Sequence, residues 1–503
     1  MDHRKFALRL LLILFSAALA GFWLEAAWDF THAINPVTGE PVRLSQLRAT
    51  PEMVRSLASS FASAYNTLIA LLLTFISLAI PITANLYTPK LIEIFIRDRI
   101  NLFVLCACAF LSAHNLFAVS LSFDQWTGQL PFAIAVAGAI FGWLLLLPYY
   151  FYVISFIDPL TIIKRVHRSL MDELEDAVAG RYAVAVAQQR VNQKIINLGS
   201  VLLKAVDRAD RDVSFDAIKT HILELARMRD VKPRLAPEFF KVSNDLLVGM
   251  SGDATDILSD ARIWMEHRIA SQLVLAYKSV LGKMPDGVSA IAQAVKNAAH
   301  EEACRHNDEV FGLLVRLLNT FTREAIKKKE NASVFNVVYN YKALIRRLLG
   351  DRPERVTELA RHLCFYADFA LKNGLPFIYE LISYELCELT EIAFERKASP
   401  ARGLLETVLA FDRPAQSVGM VKSRAILAGY FLEAGLEEEL ELIEASLRGS
   451  PRAIIEAART GVVSTETRVH WELNDRGINF DYVEPPRRAK VGEVFDRLLA
   501  AAA

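Results

Sequence analysis

Residues 56–89 read SLASSFASAYNTLIALLLTFISLAIPITANLYTP, with no Lys, Arg, Asp or Glu between Arg55 and Lys90. A helix needs roughly 20 apolar residues to cross about 30 Å of hydrocarbon, and this stretch exceeds that. Two further uncharged stretches lie between Arg99 and Asp124 and between Asp124 and Asp158, and a shorter one runs from Leu10 to Leu24. The expectation is an all-α chain with four transmembrane helices at about 8–28, 62–87, 100–121 and 131–157. The first span is read as retained. A signal peptide ending at Ala18-Leu19-Ala20 is the rival reading, but apolar residues continue through Phe22 and Trp23 to Trp28.

Charge divides the chain in two. Residues 1–157 hold 9 basic and 8 acidic residues, whereas the remaining 346 hold 48 and 49. The overall balance is zero, which removes a whole-chain argument for nucleic acid. Composition excludes disordered, collagen-like and disulfide-rich classes. The predicted domains are therefore a transmembrane domain, 1–157, a cytoplasmic helical domain, 158–350, and a helical-repeat-like C-terminal region, 351–503.

Basic residues set the expected orientation. Arg4, Lys5, Arg9, Lys90, Arg97, Arg99, Lys164, Arg165 and Arg168 fall on one side, and only Arg43, Arg48 and Arg55 on the other. The positive-inside rule then makes both termini cytoplasmic. Trp28 and Trp126 mark the outer interface, and Tyr87 and the Tyr149–Tyr152 cluster the inner one.

The second span carries the candidate functional stripe. Ser63, Thr67, Ala70, Thr74, Ser77 and Pro81 recur at three- and four-residue spacing, hence on one helix face. Small and hydroxyl residues let membrane helices approach closely, which makes the stripe a packing seam. The alternative is a wall facing water, kinked at Pro81. Gly138 and Gly142 form a further close-contact pair. His114, beside Asn115, is the histidine within a span: a candidate polar site, or a neutral imidazole bonded to a neighbouring helix. Residues 88–99 read as an amphipathic elbow, with Pro89, Lys90, Phe95, Arg97, Asp98 and Arg99 as its candidate coupling residues.

The run Phe75, Ser77, Tyr87, Pro89, Lys90, Leu91, Phe95, Arg97, Asp98, Arg99 resembles a family of uncharacterised bacterial predicted membrane proteins. That family has Phe-Ser, then Tyr-Ser-Pro-Arg-Leu, then Phe and Arg-Asp. Here Thr88 replaces the serine and Lys90 the arginine, and the likeness covers roughly residues 60–160. The family's Asn-Asp-Pro segment has no counterpart beyond it. The resemblance implies a protein of the bacterial inner membrane and carries no activity.

Asp158-Pro159 reads as a cap and first helical residue. Helical periodicity then recurs in 195–206, 257–280, 310–321, 344–349 and 377–394. Breaks are expected at Gly180, 233–237, 249–252, 285–287, Gly350, Gly374, 399–400, 413–414, Gly435 and 449–451. Residues 425–435 read as one arm of a helical repeat, and one β-hairpin is expected within 468–482.

The five cysteines lack CxxC spacing, so reduced thiols are expected. His300 and Cys304 stand one helical turn apart, but no HExxH motif surrounds them and the reading assigns no metal. His362 and Cys364 diverge at a separation of two. Asp210, Asp212, Ser214 and Asp216 imitate a calcium loop, but Phe215 stands where glycine is required. Lys327–Lys329 and Arg487-Arg488 read as solvated helix ends. No phosphate loop, dinucleotide fingerprint or nucleophile motif is present, so neither a cofactor nor an enzyme is expected. The expected function is an oligomeric membrane-anchored assembly or interaction protein, its partners the bilayer, its own copies and a cytoplasmic protein. An oligomeric channel or transporter lined by the second span is the alternative.

Overall fold

The computed structural model describes residues 50–86, 99–120, 129–243, 245–247, 249–411, 417–470 and 477–501. Eighteen α-helices form among them, and they divide into two compact units, residues 1–166 and 167–503.

In the first unit, α1 (Pro51–Leu86), α2 (Arg99–Ser120) and α3 (Gln129–Ile157) are the helices long and apolar enough to cross a membrane. Three such helices, not four, are found among the described residues; the expected first span, 8–28, lies outside them. Helix α1 begins eleven residues before the expected span. Pro51 takes the first helical position, and Thr50 Oγ1 accepts from Met53 N at 3.3 Å. The three helices share a core of Tyr65, Leu68, Leu72, Val104, Cys108, Tyr149, Tyr152 and Val153. Outward, Leu71, Phe103, Phe110, Phe117, Trp143 and Phe151 are exposed. Such an apolar exterior is unfavourable in water and suited to lipid.

Helix α4 (Pro159–Val178) starts as the sequence predicts: the Asp158 carboxylate accepts from Thr161 N at 3.0 Å and from Thr161 Oγ1 at 2.6 Å. The second unit continues with α5 (Val184–Asp207), α6 (Arg211–Val231), α7 (Gly252–Asp260) and α8 (Trp264–Val280). It then runs through α9 (Pro285–Cys304), α10 (Asp308–Lys328), α11 (Asn331–Asp351), α12 (Val356–Lys372) and α13 (Pro376–Glu395). The last helices are α14 (Ala401–Ala410), α15 (Val418–Ala434), α16 (Glu437–Leu447), α17 (Arg452–Val463) and α18 (Pro485–Ala501).

From α8 onward the helices stack in two rows, α8–α10–α12–α14–α16 and α9–α11–α13–α15–α17, each helix packing on the one two places ahead. This is the arrangement of helical-repeat proteins, in which each helix pair buries its apolar face on its neighbour. Helix α18 closes the end by packing on α15 and α17, and Val491 lies against Gly429, where a Cβ would come within 2.4 Å of Val491 Cγ2.

Two expectations need correction. No strand forms among the described residues: the expected hairpin is reduced to one antiparallel bridge, Val469 to Ile478, with residues 471–476 outside the description. A two-residue contact lacks the cross-strand side-chain ladder that stabilises a hairpin. The periodic run 257–280 is two helices. Arg262 adopts φ 55°, a left-handed residue that ends α7 before Trp264 opens α8.

Candidate intramembrane polar site

Helix α1 carries two seams. Val54, Ala58, Ala62, Tyr65, Leu68 and Leu72 recur at three- and four-residue spacing and are buried against α2 and α3. The stripe Ser63, Thr67, Ala70, Thr74 and Ser77 has the same spacing but is exposed. It is therefore not the face that packs on α2 and α3. Its two threonine hydroxyls are satisfied along the helix itself: Thr67 Oγ1 donates to Ser63 O at 3.0 Å and Thr74 Oγ1 to Ala70 O at 2.8 Å. Helix α1 continues through Pro81 to Leu86.

The inner seam holds the glycine pair. Tyr65 donates to Gly138 O, and the ring fills the notch beside Gly142. Gly138 admits Leu111 in the same way, since a Cβ there would lie 2.6 Å from Leu111 Cδ2. The expected close contacts at Gly138 and Gly142 are thus made with α1 and α2.

Polar groups bridge the helices at two levels. Ser112 Oγ donates to Asn66 Oδ1 at 2.8 Å, joining α2 to α1, and Tyr149 Oη donates to Asn101 Oδ1 at 3.1 Å, joining α3 to α2. Asn115 is fully buried, its Nδ2 donating to Leu111 O at 2.7 Å. Asn115 Oδ1 and His114 Nδ1 are buried and lack a hydrogen-bond partner among the described residues. His114 and Asn115 lie on α2, two and three residues after Ser112. Of the candidate elbow, Pro89, Lys90, Phe95, Arg97 and Asp98 lie outside the described residues, and Arg99 is the first residue of α2.

The second unit brings together groups that sequence spacing does not reveal. Glu224 is buried on α6, 3.7 Å from His167 Nδ1, too far for a hydrogen bond, and neither carboxylate oxygen has a donor among the described residues. Burial pushes the Glu224 carboxyl up to about 7 and His221, one turn earlier, down to about 4. Arg487 is not a solvated helix end. Its Nε donates to Glu433 at 2.7 Å, another nitrogen pairs with Glu391, and the guanidinium lies over the Tyr430 ring, fixing α18 to α13 and α15. A cavity of about 440 Å³ opens beside it, with Tyr384, Glu388, Glu391, Arg468 and Phe480 in its walls.

His300 and Cys304 do lie on one face of α9, with Cys304 Sγ 3.6 Å from His300 Nε2. Asp351, at the end of α11, stands 2.7 Å from that same nitrogen. Its distance in sequence concealed it: only the stacking of α11 on α9 makes it a neighbour.

No curated protein and no solved structure matches the chain. Residues 3–209, however, match the family described as "Predicted membrane protein (DUF2254)", whose function is unknown. The likeness carried by Tyr87, Pro89, Leu91, Phe95 and Asp98 thus extends from the N-terminal stretch to the end of α5, and over that part the chain is similar to the DUF2254 predicted membrane proteins.

Proposed function

We propose that this chain is an oligomeric, membrane-anchored assembly or interaction protein of the bacterial inner membrane, with cytoplasmic termini and no enzymatic role. The single observation supporting the reading is the second seam of α1. Ser63, Thr67, Ala70, Thr74 and Ser77 face away from α2 and α3, with the spacing of the seam that does pack. Small side chains, with the Thr67 and Thr74 hydroxyls already bonded to the i−4 carbonyl, allow close helix approach. The occupant of this seam is α1 of another copy. The stacked helices of the second unit offer an extended surface to a cytoplasmic protein partner, as repeat arrays do.

A second reading rests on the same exposed hydroxyls: a ring of subunits in which α1 lines a channel or transport path, governed by the cytoplasmic region. One experiment separates the two. Single cysteines replace Thr67, Thr74, Ser77 and, as a buried control, Leu72 in a full chain lacking its native cysteines, in membranes. Intermolecular disulfides at 67 and 74, with neither labelling by a charged thiol reagent nor cross-linking at 72, support the assembly reading. Rapid labelling at 67, 74 and 77 establishes the water-lined path instead. Loss of both signals ends both readings.

A further inference from the structure

We propose that His300, Cys304 and Asp351 form a binding site for a zinc-like divalent cation on the second unit. The three donor atoms lie within 4.8 Å of one another, and they come from two helices that pack side by side. In tetrahedral zinc sites, metal–sulfur bonds of about 2.3 Å and metal–nitrogen or metal–oxygen bonds of about 2.0–2.2 Å leave neighbouring donors roughly 3.2–3.6 Å apart. The Sγ–Nε2 separation of 3.6 Å already has that value. The Asp351 carboxylate, at 2.7 Å from Nε2, is hydrogen-bonded rather than spread around an ion. It needs to withdraw by about half an ångström, a small rotation for an exposed side chain at a helix end.

Charge and position agree with the donor chemistry. Cys304 is the last residue of α9 and Asp351 the last of α11, so two helix C-termini, each the negative end of its dipole, meet at the site. A thiolate and a carboxylate neutralise a divalent ion, and the imidazole adds a neutral ligand. Binding moves the imidazole proton from Nε2 to Nδ1 and releases one proton to solvent, that of the Cys304 thiol. The neighbouring Arg352 does not compete for the donors: its guanidinium is held by Ala303 O at 2.8 Å, Asp308 at 3.0 Å and Glu354. Thiolate and imidazole select a borderline metal such as zinc over magnesium or calcium, and the solvent-facing side leaves a fourth position for water.

The test uses the untagged full chain in detergent, stripped with a chelator and titrated with zinc against a chromophoric competitor, then with cobalt. One zinc per chain is expected, together with thiolate-to-cobalt charge-transfer absorption. Cys304→Ser should abolish that absorption, and His300→Ala and Asp351→Asn should each weaken zinc binding at least tenfold. Cys364→Ser and Cys106→Ser should change neither. All three altered positions are partly or fully exposed, and circular dichroism of each variant checks that it remains folded. Failure of the wild-type chain to take up zinc overturns the proposal, as does unchanged binding in the His300→Ala, Cys304→Ser double variant.

Discussion

The Tyr65 ring occupies the space that a side chain on Gly142 would need: a Cβ there would lie 2.6 Å from both Tyr65 Cε1 and Oη. Tyr65 is only 2% exposed and its hydroxyl is committed to Gly138 O, so the ring has little room to retreat. Gly142→Ala should therefore cost about 1–3 kcal/mol through overpacking. Thermal unfolding of the detergent-solubilised protein reads the loss. Combining it with Tyr65→Ala should cost less than the sum of the two, because both alter one contact. Strict additivity would show that α1 and α3 do not meet through this pair.

Glu224 makes stability depend on pH. Burial raises its carboxyl from 4.5 to about 7 in the folded protein. A raised carboxyl contributes fully below pH 4.5, where it is protonated in both states, and that contribution is lost as pH rises through 7. His221, held down to about 4 by burial, acts in the opposite sense: its contribution disappears as pH falls from 6.5 to 4. Glu224→Gln should thus leave stability near pH 4.5 unchanged and raise it by up to about 3 kcal/mol at pH 8. Denaturant unfolding of wild type and variant across that range measures the difference, and parallel curves would refute a neutral buried carboxyl.

Left-handed residues without glycine close several helices. Arg262 and Lys329, at φ 55° and 57°, each end one, and Gly435 does the same at φ 70°. The left-handed conformation costs a residue with a Cβ about 1–2 kcal/mol, partly offset by the greater unfolded-state entropy of glycine. Arg262→Gly and Lys329→Gly should each raise stability by about 0.5 kcal/mol, and Gly435→Ala should lower it by about 1. Midpoints of denaturant unfolding decide this, and destabilisation by both glycine substitutions would count against these conformations.

Arg424 is fully buried in α15. It donates to Val408 O at 2.9 Å, Phe411 O at 3.0 Å and Ser446 Oγ at 3.0 Å, capping the end of α14. Arg424→Met keeps much of the volume but leaves carbonyls without donors, and should cost about 3 kcal/mol. Arg424→Lys should restore less than half, since an ammonium cannot fork between both carbonyls in the guanidinium's geometry. Equal stability of the two variants would show that packing, not the fork, holds α14.

What was legible in advance followed from local rules. Pro285 starts α9, and Gly374 and Gly435 stop α12 and α15, as expected of those residue types. The breaks after Asp207, Asp260 and Cys304 went unread because Ala209, Arg262 and His306 take the left-handed turn that glycine usually marks. The polar stripe of α1 was visible at Ser63, Thr67 and Thr74, yet spacing alone could not say which of two equally regular seams would be buried.

By itself the sequence determined that three long uncharged segments form apolar helices and that the charged remainder folds as helices, because solvent preference and helical periodicity are properties of neighbouring residues. Tertiary structure alone decided that Tyr65 rather than Thr67 faces α3, that Glu224 is shut away beside His167, and that Asp351 stands against His300. Those outcomes depend on which surfaces of distant helices fit together, and a burial or a ligand cluster exists only once they have met.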